Sequence, residues 1–431
     1  MRKRNKRSRV HEGATRALLF TLVFPPDGVS TAQLLGEIAS DLSANGLEVE
    51  VITSRPHYNV DVAAANEQPI TWKWHRLYGT SHLGAVKVTH LNMPAKAHGV
   101  PGRLLQWAWF HFGSVLLGAR RRADVAMTVS PPPSVALVCA LLRRLGGPPF
   151  VYCVWELYPD ILVSLDKLKP DSPLLGALKH LERLTYRTAD RICVLHEGMR
   201  DAVIRESPEV APKVQVIPTF ADTDFLTPVK STPMRSDLAL GDRFIIGYAG
   251  NLGPAQDLGV LIRAAELLGD PDRLAWLVCG DGHDRARLES MVASAALKNV
   301  YFTGHLPYEK VPEIYATFDL SVVALAKAVA HEALPSKVYR TMACGKPILA
   351  IADSRSSLAT FVQDHQVGYV TDPNSAEALA ELVQHASHSP REVVEVGNGA
   401  RRLAVSQFSR LAVTTRFAEL LEQLATDSSS Q

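Results

Sequence analysis

Short continuous apolar runs alternate along the chain with longer stretches in which apolar positions recur every three or four residues. That alternation predicts strands buried on both faces of parallel sheets and covered by amphipathic helices. In the first half, RALLFTLVF (16–24), LEVEVIT (47–53), VKVTHLN (86–92), DVAMTVS (124–130), PFVYCVW (149–155) and RICVLH (191–196) read as strands. Helical periods fall near 31–45, 103–121, 134–145, 174–188 and 197–206, and KVQVIPT (213–219) adds a strand. The polar, Pro-containing stretch 219–242 reads as a linker. A second alternation follows, with strands at 243–250, 274–280, 300–304, 320–325, 347–352 and 367–371. Its helices are expected at 256–268, 283–296, 308–317, 375–387 and 409–424.

The expected architecture is α/β, with two doubly wound domains facing each other across a cleft. The divisions are a basic arm (1–13), a first domain (14–218), the linker (219–242), a second domain (243–405), a terminal helix (406–425) and an unstructured tail (426–431). In such sheets ligands sit beyond the carboxyl ends of the strands.

A length of 431 residues agrees with two cores. A net charge of +2 offers no general attraction to nucleic acid. The first nine residues, MRKRNKRSR, nevertheless hold six cations, as either a solvated arm or a contact to an anionic surface. The apolar run 17–24 stops at Pro25-Pro26 without a small-residue cleavage site, which favours a strand over a signal peptide. Cys139, Cys153, Cys193, Cys279 and Cys344 lie in apolar surroundings without CxxC spacing. They read as reduced core thiols of a cytoplasmic protein, and the histidines show no ligand spacing, so no metal is expected. LLQWAWFHFGSVLLGARRR (104–122) is too short to span a bilayer. It reads either as a core helix or as one lying in a membrane interface.

Four strand-to-loop corners of the second half suit a phosphate. GYAGNLGPAQDL carries Gly247, Gly250 and Gly253; VCGDGHDRARLE carries Gly280 and Gly282; FTGHLPYEK carries Gly304, His305 and Leu306. Glycines allow close backbone approach, and helix starts offer N–H groups. The fourth corner, HEALPSKVYRTMACGKPILA (331–350), sets Glu332 and Lys337 around a helix start and ends in Gly345. With Pro335 at the first helical position, the N–H groups of Ser336, Lys337 and Val338 are expected without intrahelical partners. This corner suits a diphosphate; the alternative is a helix start hydrated by water.

HEALPSKVYRTMACGKPILA, YAGNLGPAQDLGVLIRAAELL, VCGDGHDRARLESM, VYFTGHLPYEKVPEIYATFDLSVV and ADRICVLHEGMRDAVI together resemble glycosyltransferase family 4, enzymes of the GT-B fold. The likeness runs from about residue 16 to 420 and is greatest to the bacterial colanic-acid-type fucosyl and N-acetylfucosaminyl transferases. It implies a second domain that binds a UDP-sugar or GDP-sugar and a first domain that binds the acceptor, a saccharide that is lipid-linked, for instance through polyprenyl diphosphate. It also implies retained anomeric configuration, no cofactor or metal, and a place in bacterial surface polysaccharide biosynthesis. Residues 1–9 and 104–122 would then bring a cytoplasmic protein to the inner face of the plasma membrane.

By the same resemblance Glu332 matches the first of two glutamates, while Arg340 stands where the second would grip the ribose. Asn251 and Gln256 stand where other members carry Arg and Lys. Arg340 either replaces the missing phosphate charge or marks a weakened donor site. Asp27 and Gly28 in FPPDGVSTA could approach the sugar or acceptor, or simply form a turn. Glu156 and Asp160 in CVWELYPD are candidates to orient or deprotonate an acceptor hydroxyl. His196 and Glu197 follow in rank. The competing readings are a GT-B sugar-nucleotide epimerase and a non-catalytic GT-B-like partner in a polysaccharide assembly complex. A dinucleotide-dependent dehydrogenase is disfavoured, because FPPDGVSTA is not GxGxxG.

Overall fold

The structure is a computed structural model that describes residues 13–93, 100–164, 167–230, 232–326 and 334–429. The chain divides into two compact units, Met1–Ile217 with Thr414–Gln431, and Pro218–Val413.

In the first unit the described strands are β1 (Arg16–Phe20), β2 (Glu48–Ser54), β3 (Thr71–Lys73), β4 (Tyr78–Leu83), β5 (Val86–Leu91), β6 (Val125–Ser130), β7 (Phe150–Val154), β8 (Arg191–Val194) and β9 (Val214–Val216). They form one sheet in the order β3-β4-β5-β2-β1-β6-β7-β8-β9. The centre is parallel, with Leu19 of β1 opposite Val51 on one side and Met127 on the other. Its continuous apolar runs are buried because helices cover both faces, and Phe20, Phe110, Phe150 and Tyr152 fill the core. β1 is shorter than the apolar run suggests: the chain turns after Phe20, where the Thr21 hydroxyl donates to the Val23 carbonyl at 2.9 Å. The antiparallel hairpin β3–β4 was not expected from the pattern.

The Trp- and Phe-rich helix runs from Val100 to Gly118. Phe110 and Ser114 point into the unit, while Leu105, Trp109, Phe112 and Leu116 are exposed. Among the described residues no helix is long and apolar enough to cross a membrane. All five cysteines are buried free thiols.

The second unit holds β10 (Phe244–Ala249), β11 (Leu274–Cys279), β12 (Val300–Gly304), β13 (Leu320–Ala324), β14 (Ile348–Ile351) and β15 (Gly368–Thr371). All pair in parallel, in the order β12-β11-β10-β13-β14-β15. The stretch read as a linker is no free tether: Ala221, Leu226 and Leu240 are buried in this unit's core, and Met234–Asp237 forms a helical turn. Helices Ser357–His365 and Pro390–Gln407 were also unforeseen. The last helix, Arg410–Ser429, absorbs most of the tail expected to be unstructured, with the Thr426 hydroxyl donating to the Glu422 carbonyl at 2.9 Å.

Candidate functional site

In each sheet the winding reverses once, beside the first strand: between β10 and β13 in the second unit and between β1 and β6 in the first. Loops leaving the two strands at such a point diverge, so a crevice opens at their carboxyl ends.

At the reversal in the second unit, the loops after β10, β11 and β12 stack backbone on backbone. Gly250 N–H donates to the Cys279 carbonyl, Gly280 N–H to that of Gly304, and Leu252 N–H to that of Asp281, at 2.8–2.9 Å. Gly250 takes φ +147°, and a Cβ there would stand 2.2 Å from Lys337 Nζ. A Cβ on Gly280 would lie 1.9 Å from the Gly250 carbonyl oxygen. Gly282 packs in the same way on Leu252. The glycines thus let three loops and a lysine share a space that side chains would fill.

Lys337 comes from the far side of the reversal, on the helix Lys337–Ala343 that follows β13. Its ammonium donates to the Tyr248 hydroxyl at 2.5 Å and lies 4.2 Å from that ring's centroid. The Tyr248 hydroxyl in turn donates to the Asn251 carbonyl at 2.6 Å. Burial, and next the charge of Arg340, push the Lys337 ammonium down to about 8. A desolvated cation held this way gains when an anion arrives. Gln256 turns inward, its Oε1 accepting from Gly253 N–H at 3.2 Å.

Arg340 is exposed, with its guanidinium 5.6 Å above the Tyr308 ring, which stacks on Phe225. Ser336 is exposed at the N-cap position without a side-chain capping bond, and His305 is exposed beyond Gly304. One expectation changes. Val338 N–H donates to the Pro335 carbonyl at 3.0 Å, because the helix begins two residues after Pro335 and this turn closes first. Leu306 packs against the unit's core, as its apolar side chain dictates. Gly345, at φ +69°, ends the helix: Gly345 and Lys346 N–H donate to Met342 and Thr341, the paired bonds of a Schellman motif. Glu332 lies outside the described residues.

Tyr248 was missed, because RFIIGYAG reads as an ordinary buried strand; its signal was a phenol two residues before a glycine corner. A separate polar recess of about 670 Å³, bordered by Arg235 and Asp319, lies at the opposite, amino ends of these strands.

At the reversal in the first unit, Asp27 is buried and its carboxylate accepts from His57 and Tyr58 N–H, both at 2.7 Å. Burial raises its affinity for a proton, and these donors oppose that. Gly28 lies against the Asn59 carbonyl. Both residues therefore fasten the loop after β2. Asp160 opens the short helix Asp160–Ser164 and pairs with Lys179 at 3.0 Å. Glu156 is half-buried; burial raises its pKa, while a hydrogen bond with Tyr158 opposes the rise. His196 caps the helix Glu197–Glu206, accepting from Met199 N–H at 3.3 Å, and Glu197 pairs with Arg200.

The same reversal opens a cavity of about 710 Å³ bounded by Leu22, Pro131, Pro132, Tyr158 and Leu181. Glu182 stands on its wall, accepts from the Tyr186 hydroxyl at 2.6 Å and is pushed up to about 8, chiefly by burial.

Comparison with known proteins agrees with this division of the chain. The "Glycosyl transferase 4-like domain" family matches residues 31–219, and "Glycosyl transferases group 1" matches residues 231–403. The chain is a family 4 glycosyltransferase. The transferase is similar to WcaI of Escherichia coli K12, which bears the name of a colanic acid biosynthesis glycosyl transferase. The two are 25% identical over 388 residues, covering 87% of this chain and 93% of the relative. WbjE of Pseudomonas aeruginosa, named a probable glycosyltransferase, is 24% identical over 321 residues, covering 74% and 79%. In fold the transferase matches the Anabaena protein Alr3699/HepE crystallised with UDP, at a TM-score of 0.70 and 17% identity, covering 95% of this chain and 100% of that one. Its two Rossmann-like sheets are those of the GT-B fold.

Proposed function

We propose that this transferase moves a sugar from a UDP-sugar or GDP-sugar to a lipid-linked saccharide in bacterial surface polysaccharide biosynthesis, with retained anomeric configuration and without a metal. The observation that carries the reading is Lys337 held against Tyr248 at the glycine corner of the second sheet's reversal. An ammonium beside loops kept free of side chains suits the diphosphate of a donor. Arg340, on the same helical face three residues later, is available to its outer phosphate. Charge that develops on the leaving diphosphate would meet donors already in place, and this favours the transition state over the ground state.

The acceptor is assigned to the first unit, where Asp27 and Asp160 are already engaged by backbone donors and by Lys179. Glu156, half-buried and hydrogen-bonded to the Tyr158 side chain instead of to a cation or to backbone donors, is the better candidate to orient or deprotonate the acceptor hydroxyl. The resemblance to UDP-bound and polysaccharide-related proteins supports this reading, as do the basic residues 1–9 and the helix near 104–122 for a peripheral place on the membrane.

Calorimetry with UDP and GDP tests the donor site. One nucleotide is expected to bind, and Lys337→Met is expected to weaken it by roughly 10- to 100-fold, the range for one charge-assisted hydrogen bond. Binding of neither nucleotide would overturn the reading. Incubation of a nucleotide sugar without acceptor separates transfer from epimerisation, because only an epimerase turns over alone. Transfer that survives EDTA and yields the donor's anomer would support the remaining two particulars.

A further inference from the structure

Sugars are recognised by hydrogen-bonding groups aimed at their hydroxyls, and mismatched polar groups are costly when buried. The crevice at the reversal in the first unit has a different character. Leu22 and Val23 after β1, Pro131 and Pro132 after β6, and Leu178 and Leu181 on the helix Pro173–Thr188 make its walls mainly apolar. Its 710 Å³ is a normal size for a small-molecule site, for which roughly 300–1,000 Å³ is usual. Apart from tyrosines, the ionisable groups on its walls are Lys167, which is exposed, and Glu182, which burial pushes up to about 8. The cavity thus lies where an acceptor is expected, yet it is lined for hydrocarbon.

A second observation points the same way. Trp107, on the helix Val100–Gly118, lines the cavity. The same helix exposes Leu105, Trp109, Phe112 and Leu116, spaced by four, three and four residues and hence in one stripe. Phe112 is 59% exposed and Leu105 67%. Arg120 and Arg122 are exposed just beyond the stripe's end. Aromatic and aliphatic side chains followed by arginines suit the boundary between acyl chains and anionic headgroups.

We propose that the cavity holds the hydrocarbon chain of the lipid-linked acceptor and that the exposed stripe seats this helix on the bilayer from which the lipid is drawn. Trp107 thus ties the cavity wall to the helix that would touch the membrane, whose stripe lies on the helix face opposite Trp107. The proposal rests on the reading that the first unit carries the acceptor, and it names the part of the acceptor that enters.

Farnesyl phosphate, a soluble isoprenoid phosphate, is the probe for the cavity, with binding to the full chain followed by tryptophan fluorescence and calorimetry. It is expected to bind, while inorganic phosphate at equal concentration does not compete. Leu181→Arg and Leu162→Arg, on two different walls, should each weaken it by about tenfold or more. UDP or GDP affinity should stay unchanged in both variants. Absence of binding, equal competition by inorganic phosphate, or full affinity in both variants would overturn the cavity assignment. Loss of nucleotide binding with farnesyl phosphate retained would instead count against the donor reading alone.

Flotation with vesicles of phosphatidylglycerol and phosphatidylcholine tests the stripe. The double variant Leu105→Ser, Phe112→Ser should reduce the bound fraction several-fold and leave farnesyl phosphate affinity in solution intact. Unchanged flotation would remove the stripe from the mechanism.

Discussion

At the scale of single residues, the corner around Lys337 is crowded by design of the backbone. Gly250→Ala should displace the lysine, since the new methyl would stand 2.2 Å from its Nζ at a φ of +147° that an L-residue rarely adopts. Nucleotide affinity is expected to fall by about tenfold or more while the circular dichroism spectrum is retained. Lys337 also sets a pH dependence. It loses its proton near pH 8 in the free protein, so nucleotide affinity should decline as the pH rises through that value, and Lys337→Arg should remove the decline. Glu182 acts on stability with the opposite chemistry. Folding raises its pKa from 4.5 to about 8, so its favourable contribution is complete below 4.5 and is lost as the pH rises through 8. Glu182→Gln should therefore raise the melting temperature more at about pH 8.5 than at about pH 5, as measured by calorimetric scans. In the first unit, Glu156→Gln should slow transfer by roughly 10²- to 10⁴-fold without altering donor affinity.

At the scale of elements, buried parallel strands were legible because each is a continuous apolar run between turn residues, as in LAWLVCG and PILAIA. The Pro-Ser-Lys corner was legible for a similar reason: a proline, a cation and a closing glycine mark a short helix and its two ends. What escaped the pattern was weakly marked. YGTSHL alternates without strong apolar content, and Gly79 gains its place from packing on Ile70 and Trp72. The helix Pro390–Gln407 is disguised by glycines, yet Gly397 is needed where the helix meets the Gly345 carbonyl. The supposed linker looked polar because only a few of its side chains enter the core. Tyr248 was hidden by its strand, and Arg340 acquires a place only once Tyr308 is seen beneath it. Arg401 shows how these pieces depend on one another. Its guanidinium donates to the carbonyls of Leu226, Ala343 and Thr223 at 2.6–2.9 Å, tying the former linker to the helix that carries Lys337. Arg401→Ala should destabilise the second unit by about 3 kcal/mol in urea unfolding.

At the scale of the whole molecule, the chain leaves the first unit at Ile217 and rejoins it at Thr414. Phe417, Leu421 and Leu424 of the returning helix are buried. A chain ending before Thr414 should leave the first unit with uncovered apolar surface and a lowered melting temperature or aggregation, whereas nucleotide binding by the second unit should persist.

The strands of passage are also joined to each other. Ala221 N–H donates to the Phe408 carbonyl at 3.0 Å, and Arg410 N–H to the Ala221 carbonyl at 3.1 Å. Entrance and exit of the second unit are thus neighbours, the arrangement that lets one domain be inserted within another. A segment with adjoining ends can be exchanged as a cassette without stretching its host. Whatever the second unit binds could then change by replacement of a single contiguous piece of gene, while the first unit keeps its own history.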